Sequence, residues 1–253
     1  MAYALTEPLY PRFSNGLNPH VWKATSLTGN NVVVKLRRDA AQSAAEFQKE
    51  VSQCQRFKGA AHIRQLLDVI KDETPSKDFD RGMVLEWLPE TLWDVRENGR
   101  LTKFGLAGIR KIMRDALEGI EELHAEGVIH LASPPSTGVA QPMPYRSPEI
   151  LFGLRWSKEV DIWGWAMVIY EERVRVDVFH DFKLYNIPFF EQCKDSWPEL
   201  DPEREEVTIR SILEYLQFPE EDIHLLERVM VPEPKARPTA KDILRQGWII
   251  TRE

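Results

Sequence analysis

Basic excess, cysteine clusters and long apolar runs are all missing from this 253-residue chain, and each absence removes a class of function. With 33 Lys and Arg against 40 Asp and Glu, the formal net charge is -7 at pH 7. Such a surface is not built to neutralise a phosphate backbone, so nucleic acid is not expected as a primary partner. The two cysteines, Cys54 and Cys193, lie far apart and lack any CxxC or Cys/His spacing. Neither a disulfide nor a metal site is indicated, and both read as reduced, packed thiols. No segment reaches the roughly 18 apolar residues that cross a bilayer, and Met1-Ala-Tyr-Ala-Leu-Thr-Glu-Pro has no basic stretch followed by an apolar run. The expectation is a soluble intracellular protein, cytoplasmic or nuclear, with no membrane partner. One absence is local: from Ala116 to Val160 there is not one Asp or Asn.

What is present reads as a folded globular chain. Hydrophobic residues make up 43% and charged residues 29%, with length enough for one large domain or two lobes. Val21-Trp-Lys-Ala-Thr, a Thr28-Gly-Asn-Asn turn and Val32-Val-Val-Lys-Leu predict a β-hairpin, because β-branched runs flank a Gly/Asn turn. Phe47, Val51, Cys54 and Phe57 recur at helical spacing and predict a helix over about 40–57. Met83-Val-Leu-Glu-Trp-Leu is a further strand, ending before Pro89. Beyond it the pattern turns helical. Leu106, Ile109, Ile112, Met113, Ala116, Leu117, Ile120 and Leu123 form one apolar stripe, with Gly127 where a helix C-cap belongs. Val160-Asp-Ile-Trp-Gly-Trp-Ala-Met-Val-Ile-Tyr is apolar on every side and too short for a membrane, which predicts a buried helix. Thr239 and Asp242 open a last helix that has Ile243, Leu244 and Trp248 to bury. Between these elements, Ala132-Ser-Pro-Pro-Ser-Thr-Gly-Val-Ala-Gln-Pro-Met-Pro predicts an irregular loop, in which Ser133, Ser136 and Thr137 are candidate phosphate acceptors.

Several segments carry a resemblance. Val32-Val-Val-Lys35 looks like the VAIK strand of protein kinases, and Glu50 follows fifteen residues on, in the helix whose Glu pairs with that Lys. Leu85-Glu-Trp-Leu88 resembles the gatekeeper and hinge that hold an adenine ring through backbone hydrogen bonds. Tyr145-Arg-Ser-Pro-Glu149-Ile-Leu is similar to the APE motif in the form found in the group containing cyclin-dependent and SR-protein kinases. Trp156-Ser-Lys-Glu-Val-Asp161-Ile-Trp163-Gly resembles the opening of the family's buried helix, and Leu225 to Ala240, with Arg237-Pro-Thr, resembles the family's closing motif. The resemblance implies an α+β, bilobal protein-kinase-like fold: a small β-rich N-lobe with one helix over 1–88 and a larger helical C-lobe over 89–253. It also implies a buried Glu149–Arg237 ion pair joining distant segments.

The departures are concentrated in one place. Phosphoryl transfer by this family needs a catalytic Asp, an Asn and a second Asp that hold magnesium, and the Lys on the phosphates. All but the Lys belong between the long helix and the APE motif. Here Val128-Ile-His130 resembles the approach to the HRD motif, but Leu131 and Ala132 follow, and 14 residues separate His130 from Tyr145 where the family has about 35 or more. The catalytic-loop meander reads as deleted. Of a glycine-rich loop only Gly16 survives, with Ser14 and Pro19 at the other two glycine positions. Asp161, whose counterpart accepts hydrogen bonds from the catalytic loop, is expected either to face solvent or to be partly unsatisfied. His130 is expected to be a packed core histidine.

No catalytic residue and no metal ligand is therefore assigned. The resemblance assigns nucleotide contacts to Gly16, Val21, Val33, Lys35, Glu50, Glu86 and Leu88, and implies weak, magnesium-independent ATP binding with no intact magnesium site. The leading expectation is a catalytically impaired serine/threonine-type pseudokinase acting through a protein partner. A second reading is an active ATP-dependent serine/threonine kinase acting on a protein substrate, of which this chain is a shortened splice form or gene model. A third is a nucleotide-binding module without transfer.

Overall fold

β-Branched residues on both sides of a tight turn begin the fold as the sequence predicts. β2 (Val21–Ser26) and β3 (Asn31–Leu36) pair antiparallel, and Gly29 supplies the positive φ of +82° that the turn requires. The computed structural model describes residues 3–9, 20–37, 44–71, 80–130, 141, 145–167, 175–197 and 208–246. Gly16, Ser14, Pro19, residues 40–43, Ser133, Ser136, Thr137 and Trp248 lie outside them. The chain divides into two compact units, Met1–Lys103 and Phe104–Glu253.

In the first unit, β1 (Tyr3–Pro8), β4 (Leu66–Lys71) and β5 (Asp80–Glu86) complete a five-stranded antiparallel sheet in the order β1-β2-β3-β5-β4. The hairpin and β5 follow the sequence reading, whereas β1 and β4 are additions to it. β1 is an exposed edge strand, and β4 has a register shift between Leu66 and Asp68 that interrupts the period-two pattern. The helix expected over 40–57 is α1 (Ala44–Arg56), and it lays Phe47 and Val51 against Leu66 and Met83 on one face of the sheet. The opposite face buries Ala24, Val32, Val34 and Val84. A short helix, α2 (Leu92–Glu97), follows β5, with Thr91 and Asp94 bonded to each other's main chain at its start.

The second unit is helical: α3 (Gly105–Ala125), α4 (Pro148–Leu151), α5 (Glu159–Met167), α6 (Arg175–Asp181), α7 (Ile209–Tyr215), α8 (Glu220–Val229) and α9 (Ala240–Arg245), with short 3-10 turns between some of them. α3 ends in the way Gly127 predicts. Gly127 has φ +69°, its N–H donates to the His124 carbonyl, and the Val128 N–H donates to the Leu123 carbonyl, which closes the last turn. α5 is the buried helix, with Val160, Asp161, Ile162, Trp163, Trp165, Ala166 and Met167 all buried. Met113 and Leu117 of α3 and Leu213, Ile223, Leu226 and Ile243 pack around it, and Trp165 donates its indole N–H to the Met113 carbonyl at 2.8 Å. Thr239 and Asp242 form the expected reciprocal cap on α9. No described helix is long and apolar enough to cross a membrane. Both cysteines are free, Cys193 buried and Cys54 half-buried.

Candidate functional site

Register decides which side chains of the sheet can act together. Val21 pairs with Lys35, and Val33 lies between Lys23 and Leu85, so the period-two alternation puts Val21, Val33 and Lys35 on one face. α1 crosses the same face, and its Glu50 accepts a hydrogen bond from the Lys35 ammonium. The expected Lys35–Glu50 pair is thus formed. Its side chains are 27% and 36% exposed, so it contributes only about 0–1 kcal/mol to stability, and its consequence is the position of the ammonium. Cys54, one helical turn beyond Glu50, has its thiol pKa pushed up by burial, then by the Glu50 carboxylate, with Lys35 opposing. Val33 is only 1% exposed, whereas Val21 keeps partial exposure.

At the end of β5 the main chain of Glu86 is engaged on both sides. Its N–H donates to the Gln65 carbonyl at 2.9 Å, and its carbonyl accepts from the Arg64 guanidinium Nε at 2.8 Å. Gln65 anchors this corner, since its side chain donates to the Ala60 and Ile63 carbonyls and accepts from the Gly59 N–H. Leu88, two residues beyond Glu86, is 50% exposed, and Lys23 stands over the Trp87 ring at 5.0 Å from its centroid. Arg64 carried no signal in the sequence, because its contact depends on how β4 pairs with β5.

In the second unit, Asp161 is buried, at 4% exposure. One carboxylate oxygen, Oδ2, lies 2.9 Å from His124 Nε2 and accepts from the His130 N–H at 2.9 Å. Its other oxygen is buried without a hydrogen-bond partner among the described residues. Of the two expected outcomes, the partly unsatisfied one is observed. His130 itself corrects the sequence reading, being exposed rather than packed. The reason is local: Ile129, the residue before it, turns inward against Ile150, Trp156 and Val160, and His130 contributes its backbone N–H while its ring faces out. His124, on the last turn of α3, was not singled out in the sequence. Gln141 docks nearby, donating from Nε2 to the Val160 carbonyl and accepting from the Ser147 N–H.

Glu149 and Arg237 form the expected pair. The guanidinium donates through two nitrogens to the two carboxylate oxygens at 2.7 and 2.9 Å, and both side chains are fully buried. Arg237 also donates to the Val231, Pro232 and Glu159 carbonyls and lies over the Trp163 ring at 4.9 Å. Nearly all its donors are satisfied, which is what a charge without water requires.

A five-stranded antiparallel sheet with one crossing helix, a Lys–Glu pair on its face, and a helical unit built on a buried Trp-rich helix define a protein-kinase-like domain. The solved structure of the yeast RNA polymerase II CTD kinase CTDK-1 complex matches with a TM-score of 0.72 at 15% identity, over 97% of this chain and 91% of that one. In sequence the chain is similar to cyclin-dependent kinases. It is 22% identical to cyclin-dependent kinase 12 of Caenorhabditis elegans over 96% of this chain and 40% of that protein. It is 23% identical to a probable cyclin-dependent serine/threonine-protein kinase of Dictyostelium discoideum, over 68% of this chain and 16% of that protein. The chain thus spans well under half the length of these relatives. No family model matches it. The alignment with the nematode protein runs over 295 positions, while 96% of 253 residues fills about 243 of them, which leaves about 52 positions with no residue of this chain.

Proposed function

We propose that this chain is a catalytically impaired, protein-kinase-like domain of serine/threonine type that acts through a protein partner and keeps a remnant ATP site. The observation that carries the reading is the lack of any Asp or Asn from Ala116 to Val160, the interval in which the family's catalytic base and magnesium ligands fall. A general base contributes roughly 10²–10⁴ in rate and a metal several kcal/mol more, so one deletion that removes both reduces transfer to background. The surroundings of His130 support the deletion: Ile129 packs directly onto Ile150, Trp156 and Val160, and Asp161 takes up the His130 N–H and His124. In the remnant site, Lys35, held by Glu50, faces phosphate. Val21 and Val33 border the base and ribose, Glu86 and Leu88 form the base edge, and Gly16, which lies outside the described residues, is the one glycine left of the phosphate loop. No residue is assigned to magnesium.

The Lys35–Glu50 and Glu149–Arg237 pairs, both well formed, favour a second reading: the chain is a shortened form of an active ATP-dependent kinase. Sequencing transcripts across the His130–Leu131 junction separates the two, because the second requires a longer message encoding an HRD and a DFG element. For the remnant site the test is thermal shift at millimolar ATP, with and without magnesium. The reading expects a small shift of equal size in both conditions, and a shift that needs magnesium contradicts it.

A further inference from the structure

We infer that Arg64 deprives this chain of adenine selectivity by occupying the main-chain acceptor on its base edge. The inference rests on the reading of Glu86 to Leu88 as a base-facing hinge. A 6-aminopurine differs from the same purine without that group by the donor at position 6, and on this reading the Glu86 carbonyl is the acceptor that meets it. That carbonyl accepts from Arg64 Nε at 2.8 Å. The Glu86 N–H is spent as well, on the Gln65 carbonyl at 2.9 Å. A charged donor makes a shorter and stronger bond than a neutral amino group does, so an arriving adenine must displace the guanidinium or share the oxygen with it.

The main chain on both sides of this contact is anchored. Arg64 sits just before β4, next to Gln65, whose amide is tied to Gly59, Ala60 and Ile63, and Gln65 is itself bonded to Glu86. The backbone bearing Arg64 is therefore fixed relative to the carbonyl it caps. Because Arg64 is exposed, the bond is screened and not prohibitive. The expected effect is loss of preference for the 6-amino group, with the remnant site depending chiefly on the phosphates and Lys35 for affinity.

The test is nucleoside titration by calorimetry with the wild-type chain and Arg64→Met, which keeps the apolar stem and removes every donor. Adenosine and purine riboside are the probes, since they differ only in the 6-amino group, and neither carries phosphate, so the loss of one positive charge has no bearing. Wild type is expected to bind the two within about twofold, and Arg64→Met to prefer adenosine by about three- to tenfold, the worth of one regained hydrogen bond. A wild-type preference for adenosine of that size, or a variant with an unchanged ratio, overturns the inference. Inorganic tripolyphosphate with wild type and Lys35→Met separates this from the reading beneath it. If tripolyphosphate binds through Lys35 while the adenosine ratio ignores Arg64, only the Arg64 inference fails. If neither nucleoside nor tripolyphosphate binds any form, the remnant site itself is refuted, and the inference with it.

Discussion

Truncating Glu149 to Ala is the sharpest perturbation of the scaffold. It leaves the Arg237 guanidinium fully buried, with carbonyls of Val231, Pro232 and Glu159 as acceptors but no counter-charge. Breaking a buried pair by removing one partner costs about 3–5 kcal/mol. The three carbonyls and the Trp163 face keep several donors satisfied, which argues for the lower half of that range. Removing both partners at once leaves no stranded charge. The Glu149→Ala/Arg237→Met double variant should therefore be destabilised by less than the sum of the singles, with a coupling of about 1–3 kcal/mol. Urea unfolding followed by tryptophan fluorescence reads this directly, because Trp163 and Trp165 are buried and Trp163 lies against Arg237. In a thermal melt, at about 2–4 °C per kcal/mol for a unit of this size, the Glu149→Ala midpoint should fall by about 6–16 °C. A loss under about 1 kcal/mol, or strict additivity of the two substitutions, would refute the claim that this pair holds α4 to the segment before α9.

Further outcomes follow from individual residues. The Cys54 thiol is held above its usual pKa by burial and by Glu50, so at pH 8 it should react with iodoacetamide more slowly than a free thiol, and Glu50→Gln should speed the reaction by leaving Lys35 unopposed. No change in rate would mean that Cys54, Glu50 and Lys35 are not neighbours. His124→Leu withdraws the imidazole from a buried Asp161 whose Oδ1 has no hydrogen-bond partner among the described residues, and should cost about 1–3 kcal/mol in denaturant unfolding. Thr239→Ala removes the acceptor that takes the Asp242 N–H, with an expected loss of about 0.5–2 kcal/mol, whereas Thr239→Ser should be nearly neutral.

The parts of the molecule legible in the sequence are those with strong local grammar. The β2–β3 hairpin announced itself through its Gly29 turn, α3 through its stripe and Gly127, and α9 through Thr239 and Asp242. β1 was not legible because an exposed edge strand has no buried face to impose a pattern, and β4 because its bulge breaks the alternation. At the site, Lys35, Glu50, Glu149 and Arg237 were readable through motif spacing, and their pairings are formed. The partners that are side chain to backbone, or that join segments far apart, were not. Arg64 meets Glu86 only through strand pairing, and His124 meets Asp161 only because α3 and α5 cross. His130 was misjudged because a residue next to an inward-facing Ile129 naturally points the other way, which a motif remnant does not reveal.

On the proposed reading, a kinase-like scaffold persists without phosphoryl transfer. The most direct test of that reading is incorporation of labelled γ-phosphate into general protein substrates by the purified 253-residue chain, with magnesium and beside a Lys35→Met control. The account predicts incorporation no greater than that of the control, and magnesium-dependent turnover that disappears with Lys35→Met would contradict it.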